Sequence, residues 1–358
     1  MPDDPAIYTK RIDRLRGLAD GDWLLILNGT NIRYLTGFTG GEGALLIGPE
    51  GVNLLVDGRY TTQAAYETSG LEITEFQNRA EGISAALQKQ KADVVGFEAS
   101  SVTFAEYRRL EDSLGRVSLR PLSGDLDFLR AVKDDGEIAR IKEAVRIAEK
   151  ALTDVKNLIK PGIREREIAV ELEYRMRRAG AERMSFDTIV AAGPNAALPH
   201  ATPKERPIEA GDFVLIDYGA VFEGYHSDQT RMFCVGSPSD RQKEAYQAVL
   251  DAHDAAIAAI RAGVSCREID GVARSVLEER GFGKYFSHGT GHGVGLEVHE
   301  APALSRGKED RLETGMVVTV EPGIYFPEEW GIRIEDMALV GEDGSEVLTK
   351  MFNGLAEL

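Results

Sequence analysis

Short apolar runs bordered by Gly, Pro, Asn and Asp open the chain: DWLLILN (22–28), GALLIGP (43–49) and VNLLVDG (52–58). Runs of that length with such borders read as buried strands. The stretch YTTQAAYETSG (60–70) has helical character, DVVGFEA (93–99) reads as another strand, and TFAEYRRLEDSLG (103–115) as a further helix. Strands alternating with helices predict a small α/β domain. Nothing in it has a catalytic spacing. At Asp134 the pattern changes. Ile138, Ile141, Val145, Ala148, Leu152 and Val155 recur at helical intervals until Pro161-Gly162 ends the stripe. A boundary near residue 130 therefore separates an N-terminal domain, 1–130, from a C-terminal domain, 131–358.

The second domain repeats itself. IKPGIREREIAVELEYRMRRAG (159–180) and IRAGVSCREIDGVARSVLEERG (260–281) align without gaps at an offset of 101, the difference between 159 and 260. A long helical segment precedes each copy. Strand-like sequence with a histidine, His200 or His299, follows it. Two copies of helix–helix–hairpin bury each other's open faces and leave a cleft between them.

The hairpins carry acids. In VLIDYGAVFEGYHSDQTRMF (214–233) a turn at 221–224, centred between Phe222 and Glu223, sets Asp217 directly across from Asp228. Facing residues in a ladder have Cβ atoms only about 4.5–5.5 Å apart. In the second copy, a hairpin centred on Glu328 joins VVTVEPGIYF (317–326) to WGIRIEDMALV (330–340) and sets Glu321 opposite Glu335. Both pairs interrupt runs of Val and Ile. Two carboxylates so placed repel unless a cation lies between them.

Composition narrows the ligand. With 43% hydrophobic and 28% charged residues the chain is an ordinary globular protein. A net charge of −17 repels phosphate, which excludes nucleic acid and anionic membrane as partners. WLLIL (23–27) is too short for a signal segment or a membrane span. Cys234 and Cys266 are the only cysteines, so a reducing cytoplasm is expected, with both thiols as buried packing residues. His226 and His253 match no motif and are expected on the surface.

HGTGHGVGLEVHE (288–300) holds three of the six histidines. Its alternating glycines make a poor helix. An extended segment puts them on one face, where other backbone can come close, and His288, Thr290 and His292 on the other. Fully extended, His288 and His292 stand roughly 13 Å apart, at ~3.4 Å per residue. One metal ligand and two histidines placed for substrate are expected here. Four carboxylates with one imidazole suit divalent cations, and their four negative charges balance two such ions. Two ions that polarise a carbonyl and activate water point to amide or ester hydrolysis.

IDYGAVFEGYHSDQTR, GHGVGLEVHE, EPGIY and IRIED together resemble the pita-bread metallopeptidases, in particular aminopeptidase P and prolidase. TNIRYLTGFTGGEG and VDGRY resemble the creatinase-type N-terminal domain of the same proteins. The resemblance implies an α/β creatinase-type domain followed by an α+β pita-bread domain of duplicated helix–helix–hairpin. It implies Asp217, Asp228, His292, Glu321 and Glu335 as ligands of two divalent cations per chain, with Asp228 and Glu335 bridging. Manganese is favoured, with cobalt or zinc as alternatives, and a hydroxide shared by the ions attacks the peptide carbonyl.

By the same resemblance His299 stabilises the tetrahedral intermediate and assists the leaving nitrogen. His288 and His200 line the proline pocket. Arg333 orients the bridging acids, with Tyr325 in the same network. The substrates are small peptides with proline second, and the chain pairs into a homodimer, with the loop TGFTGGEG (36–43) as the candidate partner contact. Prolidases hold a dipeptide's terminal carboxylate with an arginine in the segment before EPGIY. Here Gly307, beside Arg306, or Ala303 stands in its place. The expectation is therefore an Xaa-Pro aminopeptidase, with Xaa-Pro dipeptidase as the alternative. A metal-free creatinase-like hydrolase or a non-enzymatic pita-bread binding module is a remoter one.

Overall fold

The structure, a computed structural model, describes residues 5–17, 23–49, 51–122, 126–351 and 354–358. Asp22, in the first expected strand, lies outside them. The chain divides into two compact units, Met1–Arg130 and Ala131–Leu358.

The first unit is built on a six-stranded mixed sheet in the order Glu72–Phe76, Val52–Asp57, Gly43–Ile47, Trp23–Ile26, Val94–Phe97, Ser118–Pro121. The apolar runs read from the sequence form its centre, and Leu25, Leu46, Leu55 and Val95 are fully buried there. Gly29–Thr36 and Arg79–Lys89 are among the helices that escape the hydrophobic pattern. Each is started by an asparagine, Asn28 or Asn78, whose side chain accepts from two backbone amides of the first turn.

In the second unit the duplication is visible in the backbone. Helices Asp135–Val155 and Asp240–Ala259 lead the two copies, each started by a capping box. Helices Glu165–Arg178 and Cys266–Glu279 follow, each of 14 residues, and both pairs of bounds differ by 101. The first pair of helices packs on Val190, Val214, Ile216 and Phe233. The second pair packs on Val318, Val320, Ala338 and Val340. Side chains alternate along a strand, so in each copy the helices cover one face of the hairpin and the acids stand on the other.

The first hairpin differs in register from expectation. Thr230, not Asp228, faces Asp217, and Val221 faces His226. The turn residues are Glu223 and Gly224, with φ of 45° and 81°. A two-residue turn with both centres left-handed matches strand twist, and it moves the centre of the hairpin one position toward the C-terminus. The second hairpin keeps the expected register: Gly323 faces Arg333 in its outer part, and Val320 faces Asp336 in its inner part. Both ladders break where acids sit. Ser227 and Asp228 fall between strands Tyr225–His226 and Gln229–Cys234. Glu321 and Glu335 fall in the corresponding gaps of the second hairpin.

His226 and His253 are buried rather than on the surface. The His226 amide donates to the Gly295 carbonyl at 2.8 Å, and Arg183 lies against its ring. His253 sits between Asp254 at 2.9 Å and Asp336 at 3.2 Å. Burial alone would make its ring harder to protonate, but the two aspartates hold its pKa above the ordinary value. Cys234 and Cys266 are buried, unpaired core residues. Among the described residues no helix is long and apolar enough to cross a membrane.

Candidate metal centre

A cavity of about 540 Å³ in the second unit is lined by Asp217, Asp228, His292, Glu321 and Glu335 together with His200, His288, His299 and Arg333. The glycine-rich segment enters it as the short strand Gly291–Gly293, with an irregularity between His292 and Gly293. Its glycines are required by close backbone. A Cβ on Gly291 would lie 2.0 Å from the Thr319 carbonyl oxygen, and one on Gly293 would lie 2.2 Å from that of Ala301. Neighbouring strands thus close on the segment from both sides and fix the imidazole of His292 between them.

Asp228, His292 and Glu335 each offer a ligand atom, and these atoms lie within 4.8 Å of one another. His292 Nδ1 faces the Gly293 carbonyl at 3.0 Å, which leaves Nε2 with its lone pair toward Glu321 at 3.4 Å and Asp228 at 3.6 Å. Burial, ahead of any charge, keeps this ring less basic than usual. Thr230 Oγ1 donates to Glu335 Oε2 at 2.8 Å, and Thr319 Oγ1 to Glu321 Oε1 at 3.3 Å.

Arg333 does not hold the two acids expected to bridge. Its Nη2 donates to Asp217 Oδ2 at 2.5 Å, its Nε to Thr230 Oγ1 at 3.1 Å and its Nη1 to the Tyr325 hydroxyl at 2.8 Å. It reaches Glu335 only through the threonine. Tyr325 stands behind the wall: it is absent from the cavity lining, and its hydroxyl lies between Arg333 and His288 Nε2, 3.1 Å away.

The electrostatics fit a divalent cation. Burial and then the Glu335 charge push the Asp228 carboxyl well above the usual carboxylate range. Burial followed by Glu321 does the same to Glu335. Glu321 is raised chiefly by burial. Acids this close cannot all ionise without positive charge between them. Asp217 Oδ1 is buried with no hydrogen-bond partner, a lone pair aimed at nothing in the protein. Oxygen donors with one imidazole suit manganese-like ions better than a thiolate-type zinc knot.

His299 is exposed at the cavity, its ring 4.2 Å from that of His292. Burial and then the neighbouring His292 lower its pKa, so near neutral pH it is an uncharged imidazole with one N–H to donate. His288 is likewise held neutral by burial. Ala303 and Ser305 line the cavity, whereas Arg306 is exposed and does not.

Several residues around the acids went unread. Thr230 and Thr319 each stand two positions from a carboxylate, and strand alternation would have placed them on the same face. Apart from His200, the wall from Phe186 to Thr202 carried no comparable signal.

The model of metallopeptidase family M24 matches residues 139–342, and that of the creatinase/prolidase N-terminal domain matches residues 11–132. The chain is 39% identical over 330 residues to an Xaa-Pro dipeptidase of Pyrococcus horikoshii, covering 92% of this chain and 93% of that one. Among solved structures it is similar to an Xaa-Pro dipeptidase from Bacillus anthracis, with 40% identity, a TM-score of 0.95 and coverage of 98% and 100% of the two chains. It is also similar to an X-Pro aminopeptidase from Thermotoga maritima, with 38% identity, a TM-score of 0.90 and coverage of 97% and 100%.

Proposed function

The chain belongs to metallopeptidase family M24, a creatinase-type domain before a pita-bread domain, and from that premise we propose that it is an Xaa-Pro dipeptidase. The dipeptidases named above, matched along nearly their whole length, support this reading over the aminopeptidase expected from the sequence. Asp217, Asp228, His292, Glu321 and Glu335 would hold two divalent cations, manganese first, with cobalt or zinc as alternatives. When bound, such a pair polarises the scissile carbonyl and makes water acidic enough to attack it near neutral pH.

The protein's own groups do the rest. Arg333 and Thr230 fix Asp217 and Glu335 by charge-assisted and hydroxyl hydrogen bonds. His299, neutral and at the cavity surface, donates its N–H to the carbonyl oxygen as negative charge develops there. His200 and His288 contact the proline side of the substrate. A cytoplasmic homodimer belongs to the same reading; free, buried cysteines support the compartment, and light scattering tests the pairing.

One observation favours aminopeptidase activity as a second reading. Arg333 is engaged by Asp217, Ala303 lines the cavity, and Arg306 is exposed outside the lining. Among the described residues no arginine lining the cavity is thus free to meet a dipeptide's terminal carboxylate. Hydrolysis of Xaa-Pro is to be compared with that of Xaa-Pro-Yaa under equal manganese. We expect kcat/KM to favour the dipeptide by at least about tenfold, about 1.4 kcal/mol of transition-state binding. Efficient release of the first residue from tripeptides would establish the aminopeptidase instead.

A further inference from the structure

We infer that Asp270 and Arg274, on the second helix of the second copy, are positioning residues for His288, and that Glu165 does the same for the loop carrying His200. Neither set touches the cavity. Asp270 is fully buried in helix Cys266–Glu279. Its Oδ1 accepts from the amide and the hydroxyl of Thr290 at 3.1 and 2.9 Å. Its two oxygens also take Arg274 Nε at 2.6 Å and Nη2 at 3.0 Å. Arg274 then donates to the carbonyls of Phe286, at 3.2 Å, and His288.

The backbone is therefore gripped on both sides of the histidine and at it. The guanidinium also lies 4.2 Å over the Phe286 ring, which packs edge-on to the His288 ring at 5.2 Å. Tyr325 meets His288 Nε2 from the other side. With one nitrogen on Tyr325 and the other 2.8 Å from the Gly289 carbonyl, the ring has a single orientation to offer.

The first copy uses a different residue for the same task. Glu165, fully buried at the start of helix Glu165–Arg178, accepts from the Ala192 amide at 2.6 Å, the Asn195 side chain at 2.8 Å and the Lys204 amide at 2.8 Å. These donors bracket His200. Asn195 also donates to the Thr202 carbonyl at 3.1 Å, closing the loop on itself. In both copies a buried carboxylate thus reaches from the second helix to the segment that presents a cavity histidine. Pure packing would not demand either. A buried acid costs free energy unless donors offset it; those of Glu165 come from one loop, and those of Asp270 are Thr290 of the other loop and Arg274, which itself holds that loop.

The kinetic part rests on the proposal that His288 meets substrate; the spectroscopic part does not. In full-length protein labelled with ¹⁵N-histidine, the His288 ring signals are assigned by their loss in His288→Ala. Arg274→Met should move them, and Arg274→Lys, which keeps the Asp270 pair, should move them less. Arg274→Met should raise KM for an Xaa-Pro dipeptide about tenfold, leave kcat within about threefold, and have no further effect in the His288→Ala background. Unmoved His288 signals, or an equal KM effect without His288, would overturn the inference. Moved signals with KM unchanged even in His288→Ala would keep the positioning and remove the substrate role.

Discussion

The two copies in the second unit share one scaffold but carry different chemistry. Their second helices have the same length and are offset by 101 at both ends, and each pair of helices covers one face of its own hairpin. The first hairpin carries two aspartates. The second carries two glutamates, and its copy also supplies the glycine-rich strand with His292. Likeness persists where residues only pack and vanishes where they meet the site. The cavity needs one of each copy, because neither hairpin alone gathers Asp228, His292 and Glu335.

If the halves contribute jointly to one site, losing an acid from either should be equally severe. Asp228→Ala and Glu335→Ala should each lower kcat/KM by at least about 10³-fold and release bound manganese, while circular dichroism stays native. The acids sit in ladder gaps, so their loss leaves the strand pairing intact. Full activity in metal-depleted Asp228→Ala would remove the two-half site.

The next test concerns the histidines, where the halves should differ. His299→Ala should reduce kcat by about 10²–10⁴ with metal content unchanged, the usual worth of a positioned donor at a developing oxyanion. His200→Ala should act mainly on KM, by about tenfold, because it only lines the pocket. Comparable losses of kcat in both variants would mean that the copies present catalytically equivalent histidines. Loss of metal from His299→Ala would mean that it, not His292, is the ligand.

Much of this comparison was legible in the sequence, and the exceptions have physical causes. The helices could be placed because a 3.6-residue stripe and its Gly stops are local signals. The first hairpin's register was not recoverable. Moving the turn by one position shifts the pairing by two residues, and an even shift leaves every side chain on its original face. The apolar pattern is identical in both registers, so only the left-handed Glu223-Gly224 turn decides between them. The burial of His253 was equally invisible, since its partner Asp336 lies on a strand more than 80 positions away. Burial alone would raise Asp336, but His253 and Arg231 hold it at about 2. No spacing rule announces such a group.

The smallest expected effect separates the two buried acids of the second helices. Asp270 is ion-paired with Arg274, whereas the three nearest donors of Glu165 are two amides and an asparagine. Burial, the largest influence on Glu165, outweighs those donors and raises its pKa above the ordinary 4.5. A carboxyl raised in the folded state binds more protons there than in the unfolded chain between the two values. Stability therefore increases as pH falls through that window, and it is lost as pH rises through the folded value. Glu165→Gln has no proton to bind. The melting temperature of the wild type relative to that of Glu165→Gln should thus climb as pH drops from neutrality toward 4.5, then level off. Acids common to both proteins cancel in the difference. A difference that falls with decreasing pH would mean that the Glu165 carboxylate is stabilised by its donors more than burial penalises it, and that the two copies hold their loops by the same electrostatics after all.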